Sequence, residues 1–331
     1  MDNITSKRKW KDILLEIGCF DIYHTYDYHK VCSDIDQLAP AMFVERGEKG
    51  IVAMPLLERS IDGERVDATS VYGYPGPISN ILNVHEFLDV YKSLLKSIYN
   101  KYKYVSIFSR ANSFVLSNDH LSSIGRNSGE TVFIDLNCSE EEQLRQYRSN
   151  HKRDISKLKR SGFECKFVKP EQGIGSFIEV YESTMHSLGA SNDYFFSRSY
   201  YEGLFDNSMA EVKLVECLQG GSVACCGIFF FCNNIVQYHV GGTSAEFYKF
   251  APTKLMFDFV RQYAFQNGYD FFHLGGGLNG SEDNLLNFKK GFSNRTSAFF
   301  TIREVLDEET YDNLSKYKHR SNYFPLYRSP C

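Results

Sequence analysis

The sequence predicts an α/β (α+β) fold in which one arrangement of strands and helix occurs twice. Two apolar hairpins, at residues 41–61 and 212–231, each enclose a glycine turn. A glycine-rich turn and then a helix follow each hairpin, at residues 84–102 and 252–268, and each helix leads into another strand. This repeated order indicates two similar domains related by duplication, each with a mixed, largely antiparallel sheet flanked by helices.

In the first copy the hairpin turns between Gly47 and Gly50, and residues 69–80 form a turn rich in glycine, proline and tyrosine. The helix at residues 84–102 has apolar side chains at i, i+3 and i+4 spacing, which is typical of a helix packed against a sheet. These side chains are Phe87, Val90, Tyr91, Leu94, Leu95 and Ile98. A strand at residues 103–110 follows this helix.

In the second copy the hairpin turns at Gly220 and Gly221, and the next strand runs into a further glycine turn. Pro252 at the start and Gly268 at the end delimit the helix. The strand at residues 270–276 ends in glycines. Because the segments around these glycines and around Lys289 have no counterpart in the first copy, we expect the second domain to carry the chemistry.

The strand at residues 131–136 gives way to an acidic segment, which places the linker near residues 135–139. We therefore predict an N-terminal domain at residues 1–137 and a C-terminal domain with the catalytic cleft at residues 138–312. The remaining tail, residues 313–331, is expected to pack back on the N-terminal domain.

The formal net charge of −4 excludes a polycation, so any contact with nucleic acid must be local. The N-terminus lacks the long apolar segment of a secretory signal, and the longest apolar run, Val223–Cys232, is too short to span a bilayer. Nine cysteines lie mostly within apolar strands, which suits a reducing cytoplasm. Their spacing fits no zinc site, so we expect core cysteines, no metal and a cytoplasmic protein.

The order of elements in each copy is that of the GNAT acyltransferase fold. The chain resembles the Fem family of peptidoglycan-bridge aminoacyltransferases and the related GNAT-like acyltransferases of envelope polysaccharide biosynthesis. The resemblance covers nearly the whole chain, and the segments that carry it are residues 151–167, 177–204, 238–243, 273–277 and 288–293. No insertion like the paired long helices of some members is visible here.

The resemblance implies an enzyme that transfers an aminoacyl or acyl group to an amine of a nucleotide- or lipid-linked envelope sugar precursor. Aminoacyl-tRNA and acyl-CoA are the two donors to be considered, and no cofactor is expected to be tightly bound. One alternative is an acyl-CoA-dependent N-acetyltransferase acting on an amino sugar, and another is a non-catalytic relative that binds a precursor or RNA. Expected partners are the precursor and, with the first donor, charged tRNA. Peripheral membrane association would suit a lipid-linked acceptor.

Lys289 matches the lysine that is thought to steady the transferring acyl group in the family, and its ammonium would stabilise an oxyanion. A surface lysine beside Lys290 is the alternative. In the GNAT fold one strand splays from its neighbour, and the acyl donor enters where the two part. Tyr238 and His239 end the strand that this likeness predicts to splay, and one of them must face the cleft because consecutive strand residues point to opposite faces. His239 is a candidate base for the incoming amine, with a satisfied buried histidine as the alternative.

Other residues are candidates for substrate binding. We expect Gly241, Gly242, Gly275, Gly276 and Gly277 to line the donor channel, although tight turns explain these glycines nearly as well. Thr243 and Phe288, which adjoin the same segments, are further candidates for substrate binding. Arg198 and Tyr201 resemble an arginine and tyrosine that hold precursor phosphates in some members, at slightly different spacing. Tyr72 and Tyr74 lie in the stiff turn of the first copy, where their rings could wall a sugar or nucleotide.

The segment at residues 145–162 is strongly basic. At helical spacing Arg145, Arg148 and Lys152 would share one face. Lys152 and Arg153 are predicted to contact phosphates of the acceptor or of tRNA, with a solvated helix face as the alternative.

The donor is left open by one further observation. CoA-binding GNAT enzymes usually carry a glycine-containing pyrophosphate loop before the corresponding helix, and here residues 247–254 contain no glycine. This weakens the expectation of CoA binding without excluding it.

Overall fold

The computed structural model describes residues 1–36 and 38–330. The chain forms two compact units: Met1–Gly129 together with the chain from Ala298 onward, and Glu130–Ser297. Among the described residues, no helix is long and apolar enough to cross a membrane.

The first unit contains the following strands and helices. Its strands are β1 (Asp2–Ile4), β2 (Ala39–Gly47), β3 (Gly50–Ser60), β4 (Val66–Thr69), β5 (Ile78–Ser79) and β6 (Ser106–Asn112). Its α-helices are α1 (Lys7–Ile17), α2 (Tyr26–Asp36), α3 (Val84–Tyr102), α4 (Asn118–Ile124) and α11 (Glu308–Ser315), and 3₁₀ turns form at Ile22–His24 and Leu326–Arg328.

The second unit contains strands β8 to β12 and helices α5 to α10. Its strands are β8 (Phe163–Val168), β9 (Glu211–Gln219), β10 (Ser222–Cys232), β11 (Ile235–Thr243) and β12 (Phe271–Gly276). Its α-helices are α5 (Glu140–Gln146), α6 (Ser149–Arg160), α7 (Pro170–Ser187), α8 (Arg198–Leu204), α9 (Thr253–Gln266) and α10 (Asn284–Lys289), and 3₁₀ turns form at Asn192–Tyr194, Ala245–Phe250 and Leu278–Gly280.

Two more strands, β7 (Arg126–Asp135) and β13 (Thr296–Val305), each contribute residues to both units. For this reason the compact units do not divide the chain after residues 137 and 312, where we predicted the boundaries. The chain passes from the first unit to the second within β7 and returns within β13. The tail lies in the first unit, where the Tyr327 hydroxyl and the Arg328 guanidinium donate hydrogen bonds to the buried carboxylate of Asp67 at 2.8 and 2.6 Å.

Each unit has the duplicated arrangement that the sequence predicts. In the first, β2 and β3 form the hairpin, the strand order is β1-β2-β3-β4-β6-β13, and β4 pairs parallel to β6. In the second, β9 and β10 form the hairpin, the order is β7-β12-β11-β10-β9-β8, and β11 pairs parallel to β12. The other pairings described are antiparallel. Both sheets are thus mixed and largely antiparallel, as predicted for tandem GNAT-like domains.

The helix that follows each hairpin buries its apolar side chains in the core of its own unit. Helix α3 begins at Asn83, whose side chain accepts hydrogen bonds from the backbone of His85 and Glu86, and buries Phe87, Tyr91, Leu94 and Ile98. Helix α9 follows Pro252, buries Leu255, Met256, Phe257, Val260 and Ala264, and is followed by Gly268 with φ of +76°. Each helix therefore packs on one face of the sheet that contains the hairpin of its unit.

Candidate functional site

Strands β11 and β12 run parallel and separate after a short paired stretch. The pairs run from Ile235 with Phe271 to Gln237 with His273, and β11 continues beyond them. At the last pair, the buried side chains of Gln237 and His273 hydrogen-bond to each other. Backbone groups at such a divergence face the opening instead of a partner strand, so they can polarise a bound carbonyl. The splay that the sequence predicts therefore begins immediately before Tyr238.

Lys289, the last residue of α10, lies against the glycines that end β12. Its Nζ donates a hydrogen bond to the Gly276 carbonyl oxygen at 2.8 Å and lies 5.9 Å from the centre of the Tyr238 ring. A Cβ at Gly275 would lie 3.2 Å from this Nζ, and Gly275 has a φ of +82°, which favours glycine. These four residues (Lys289, Tyr238, Gly275 and Gly276) are called the lysine site below.

The electrostatics of the lysine site suit the stabilisation of negative charge. Burial lowers the pKa of Lys289 from 10.5 to about 8, and the Asp283 carboxylate opposes this effect. Lys289 therefore stays mostly protonated at neutral pH, although only 6% of its surface is exposed. Burial, and next the Lys289 charge, lower the pKa of His273 to about 3, so this imidazole is neutral. The ammonium is thus the cationic donor beside the divergence of β11 and β12.

Helix α6 holds the lysine turn in place. The His151 Nε2 lies 3.1 Å from the Phe288 carbonyl oxygen, and the Arg148 backbone N–H donates to the Gly291 carbonyl oxygen at 2.9 Å. A Cβ at Gly291 would overlap the His151 ring, so glycine is required for this close packing. The short helix α10 itself begins at Asp283, whose carboxylate accepts the backbone N–H of Leu286 at 2.8 Å.

Tyr238 and His239 point to opposite sides of β11, and only Tyr238 lies at the lysine site. The Tyr238 ring packs on Phe257 at 4.8 Å. The His239 Nε2 instead lies 2.8 Å from the Tyr200 hydroxyl, and burial lowers the pKa of this histidine to about 3. His239 is therefore neutral, on the other face, and a weak base at neutral pH.

The predicted channel glycines differ in which atoms lie where a side chain would be. A Cβ at Gly241 would lie 2.5 Å from the Cys226 carbonyl oxygen, and one at Gly242 would lie 2.7 Å from the Val180 carbonyl oxygen. Gly276 likewise faces the Glu130 carbonyl oxygen at 2.8 Å, and Gly277 faces the Ser281 carbonyl oxygen. At these four glycines, neighbouring backbone occupies the space that a side chain would need, as the tight-turn alternative expects. At Gly275 that space faces Lys289 instead.

Thr243 and Phe288 also have protein partners. The Thr243 hydroxyl lies 3.0 Å from the Thr253 hydroxyl at the start of α9, so it joins the end of β11 to that helix. Phe288 packs between the His151 and Phe292 rings, each at 5.6 Å between centroids. Both side chains therefore pack against other residues of the second unit.

The structure separates the predicted phosphate-binding pair on α8. Arg198 is exposed and forms an ion pair with Glu202 at 2.7 Å. Tyr201 is fully buried, with its ring 5.1 Å from that of Phe177, and burial raises the pKa of its hydroxyl. The i, i+3 spacing thus places one side chain in solvent and the other in the core, and the two do not form one phosphate contact.

Tyr72 and Tyr74 lie in the first unit, on the turn before α3. The Tyr72 side chain is exposed, whereas the Tyr74 ring packs between those of Tyr23 and Phe299 at 6.1 and 6.0 Å. A Cβ at Gly73, which has a φ of +106°, would overlap the Tyr23 ring. Of the two tyrosines, Tyr72 is the one accessible to a ligand.

The basic segment forms two helices, although we predicted that Arg145, Arg148 and Lys152 share one face of a single helix. Arg145 lies on α5, and the chain extends at Tyr147 and Arg148 before α6 begins, because the buried Tyr147 ring packs on Phe292 at 5.2 Å. Arg145 and Lys152 therefore do not share a helix face. The exposed side of α6 lines an open concavity of about 470 Å³, formed by Lys152, Arg153, Asp154, Ser156, Lys157 and Arg160. Its one carboxylate, Asp154, forms an ion pair with Lys254 at 2.6 Å, so the residues that line the concavity keep a net positive charge.

Sequence reasoning missed His151, Asp283 and the Gln237–His273 pair. The aspartate could have been recognised as a helix N-cap three residues before the buried Leu286. No local pattern reveals the other contacts, because His151 lies 137 residues from its partner Phe288 and Gln237 lies 36 residues from His273.

Comparisons with known proteins identify a domain in this chain and structures with a similar fold. Residues 145–290 match the family described as "Acetyltransferase (GNAT) domain". The fold is similar to that of FemX, with a TM-score of 0.69 at 13% identity over 95% of this chain and 99% of FemX. No curated protein matches the sequence.

Two lipid-related structures are also similar in fold. One is the C-terminal domain of a putative lysylphosphatidylglycerol synthetase from Agrobacterium fabrum, with a TM-score of 0.57 at 12% identity over 90% of this chain and 92% of that domain. The other is L-PGS from Bacillus licheniformis, with the same TM-score and identity over 90% of this chain and 91% of that structure. The resemblance to Fem-like and GNAT-like proteins is thus confirmed by the shared fold and by the GNAT domain. Residues 145–290 therefore carry a GNAT acyltransferase domain, in a chain whose fold is similar to that of FemX.

Proposed function

We propose that this acyltransferase transfers an aminoacyl or acyl group to an amine of a nucleotide- or lipid-linked sugar precursor of the cell envelope. The observation that supports this most is the buried ammonium of Lys289 at the divergence of β11 and β12. A donor carbonyl bound there would meet a cation held by the Gly276 carbonyl oxygen. The envelope acceptor is supported by the fold shared with FemX, with the domain of the putative lysylphosphatidylglycerol synthetase and with L-PGS.

In this reaction the acceptor amine attacks the donor carbonyl, and negative charge develops on the carbonyl oxygen. The C–O bond to tRNA or the C–S bond to CoA then breaks, and the proton lost by the amine passes to the departing oxygen or sulfur. The Lys289 ammonium stabilises that charge without changing its own protonation state. Tyr238 walls the same side of the opening. We assign the base role to no protein residue, since His239 lies on the opposite face of β11, and the amine enters in its neutral form.

The donor is proposed to be aminoacyl-tRNA or acyl-CoA, and acyl-CoA is the one that GNAT domains use. A specific observation favours CoA despite the missing glycine. Ala251, just before α9, has a φ of +52°, so the turn has the left-handed geometry that glycine usually supplies. This turn leads directly into the N-terminus of α9, where backbone N–H groups favour an anion.

The basic concavity on α6 is proposed to bind phosphate groups of the acceptor or of tRNA. Reversing the charge of Lys152 and Arg153 together should weaken that binding and reduce its dependence on salt, because fewer counterions are released. Binding of a fluorescent nucleotide sugar and of tRNA at several salt concentrations measures this. Unchanged affinity for both would make α6 a solvated helix face.

A donor exchange experiment tests the function as a whole. The purified protein is incubated with a panel of amino-sugar nucleotides and either acetyl-CoA or charged tRNA, and the products are analysed by mass spectrometry. Added acyl mass with acetyl-CoA alone would discard the tRNA donor, and added aminoacyl mass with charged tRNA alone would discard CoA. No product with either donor would favour the non-catalytic alternative. The reaction is expected in the cytoplasm, where both donors occur.

A further inference from the structure

Three cysteines lie side by side across neighbouring strands of the second unit. Cys165 on β8 is the register partner of Cys217 on β9, and Cys217 is the register partner of Cys225 on β10. Directly opposed residues of an antiparallel pair point to the same face of the sheet. Accordingly, the Cys165 and Cys225 thiols both lie within hydrogen-bonding reach of the Cys217 sulfur.

The spacing of this row suits a disulfide and not a metal. Opposed Cα atoms in an antiparallel pair lie about 4.5 to 5.5 Å apart, which falls inside the range that a disulfide spans. The two outer cysteines are two strand spacings, about 10 Å, apart, so three thiolates cannot meet at one ion. In agreement, the described part of the chain has no group of three or more His, Cys, Asp or Glu side chains placed to hold a metal.

The three thiols differ in access. Cys165 lies on β8, the last strand of the sheet order, and is partly exposed, whereas Cys217 and Cys225 are fully buried. The two thiol donors around Cys217 lower its pKa, while burial opposes this effect, and the hydrogen bond to Cys217, together with burial, raises the pKa of Cys165. An oxidant therefore meets Cys165 first, and the sulfur with the greater thiolate character lies directly opposite it.

We propose that Cys165 and Cys217 form a reversible disulfide, which makes this edge of the sheet an oxidation site. With a peroxide as oxidant, the Cys165 sulfur attacks one peroxide oxygen while its proton passes to the neighbouring Cys217 thiolate, the O–O bond breaks, and a sulfenic acid and hydroxide form. The Cys217 sulfur then attacks the sulfenic sulfur, the S–O bond breaks, and the departing hydroxide takes the Cys217 proton and leaves as water. Overall, two thiols and one hydrogen peroxide give one disulfide and two waters. A dithiol reverses the step by exchange.

The row continues to the end of the strand beside the lysine site. Cys225 is the register partner of Thr243, the last residue of β11, whose hydroxyl lies 3.0 Å from that of Thr253 at the start of α9. A disulfide would draw together β8 and β9 at the far end of this row. The oxidation site does not depend on the proposed acyl transfer, and it is tested without any acyl donor.

The test uses the reduced full chain treated with hydrogen peroxide, blocked with an alkylating reagent and digested with trypsin. A peptide pair joining residues 161–166 to residues 214–249, lighter by two hydrogen atoms than the two separate peptides, is the expected product. Fragmentation identifies Cys217 as the partner, because the second peptide also contains Cys225, Cys226 and Cys232. Dithiothreitol should abolish the pair.

Variants and an internal control complete the experiment. Cys225→Ser should keep the cross-link, and Cys165→Ser should lose it. Cys19 is exposed and has no place in the row, so it reports whether the peroxide dose was sufficient. The proposal is overturned if Cys165 stays alkylatable when Cys19 is oxidised, if Cys165 goes on to sulfinic acid uncross-linked, or if Cys217 pairs with Cys225 instead. The same cross-link in urea-unfolded protein would also overturn it, since the register would then be irrelevant.

Discussion

Replacing Lys289 by methionine should lower the activity of the protein without lowering its stability. Methionine keeps the length and apolar volume of the side chain but removes the buried charge. In the folded protein that charge is disfavoured, because burial lowers the Lys289 pKa from 10.5 to about 8. A pKa difference of that size corresponds to about 3 kcal/mol of unfavourable free energy at neutral pH.

The substitution also has a cost. It removes the hydrogen bond from Nζ to the Gly276 carbonyl oxygen and leaves that oxygen without this donor, which costs about 1 to 3 kcal/mol. The difference of the two terms predicts that Lys289→Met changes the free energy of unfolding by between about 0 and +2 kcal/mol. The variant should nevertheless lose activity, by about 100- to 1000-fold in kcat/KM, because it lacks one oxyanion donor.

The pH dependence follows from the sign of the pKa change. Below about pH 8 both the folded and the unfolded wild type carry the Lys289 proton, so the cost of burying the charge is fully present. Between about pH 8 and pH 10.5 the folded protein releases that proton first, so wild-type stability gains on the variant. Wild-type activity should fall through the same pKa near 8, as the donor loses its charge.

Urea unfolding from pH 7 to 10.5 and acyl-transfer kinetics measure these quantities. Lys290→Met is the matched control, because Lys290 is partly exposed and pairs with Glu130 at 3.1 Å. Such a pair contributes only about 0.2 to 1 kcal/mol, and no role in the chemistry is assigned to it. The reasoning is refuted if Lys289→Met loses more than about 2 kcal/mol of stability, or if it retains kcat/KM within about twofold.

Two further substitutions test the backbone of the lysine site and the anchoring of the tail. Gly275→Ala and Gly162→Ala should each lose about 1 to 2 kcal/mol, because both positions have positive φ, but only Gly275→Ala should lose activity, since its Cβ would meet Lys289 whereas nothing lies within 4 Å of one at Gly162. Equal activity in the two variants would contradict the close approach. Asp67→Asn should lose about 3 to 5 kcal/mol in thermal or urea unfolding, because it leaves two arginines around a buried position without their carboxylate. The exposed Asp62→Asn is the control and should unfold like the wild type; a similar loss in both would show that the buried network is not the cause.

Much of the fold was predictable because its signals are local. The hairpins around Gly47–Gly50 and Gly220–Gly221 and the apolar stripe of α3 each lie within a span of at most 21 residues. The repeated order of these elements was enough to indicate tandem domains, and its likeness to the GNAT fold predicted a splayed strand. The unit boundaries were not predictable, because β7 and β13 are each continuous strands that serve both units.

The candidate site was predicted less completely. Lys289, Tyr238 and Gly275 were named from the sequence and lie together in the structure. The same reasoning gave no way to choose between Tyr238 and His239, because alternation along a strand says that two residues differ in face but not which face is covered. Nor could spacing on α8 show that Tyr201 is core and Arg198 is exposed, since burial depends on the sheet that the helix meets.

By itself, then, the sequence determined the elements, their duplication and the segment in which the lysine lies, because these depend on periodicity and turn chemistry within a few residues. Only the tertiary structure decided that Lys289 is buried against Gly276 with a pKa near 8, and that three cysteines form one row. Both depend on strand register and on contacts between residues far apart in the chain. Such contacts set burial, charge and distance, which are the quantities on which the proposed roles of the lysine and of the two thiols depend.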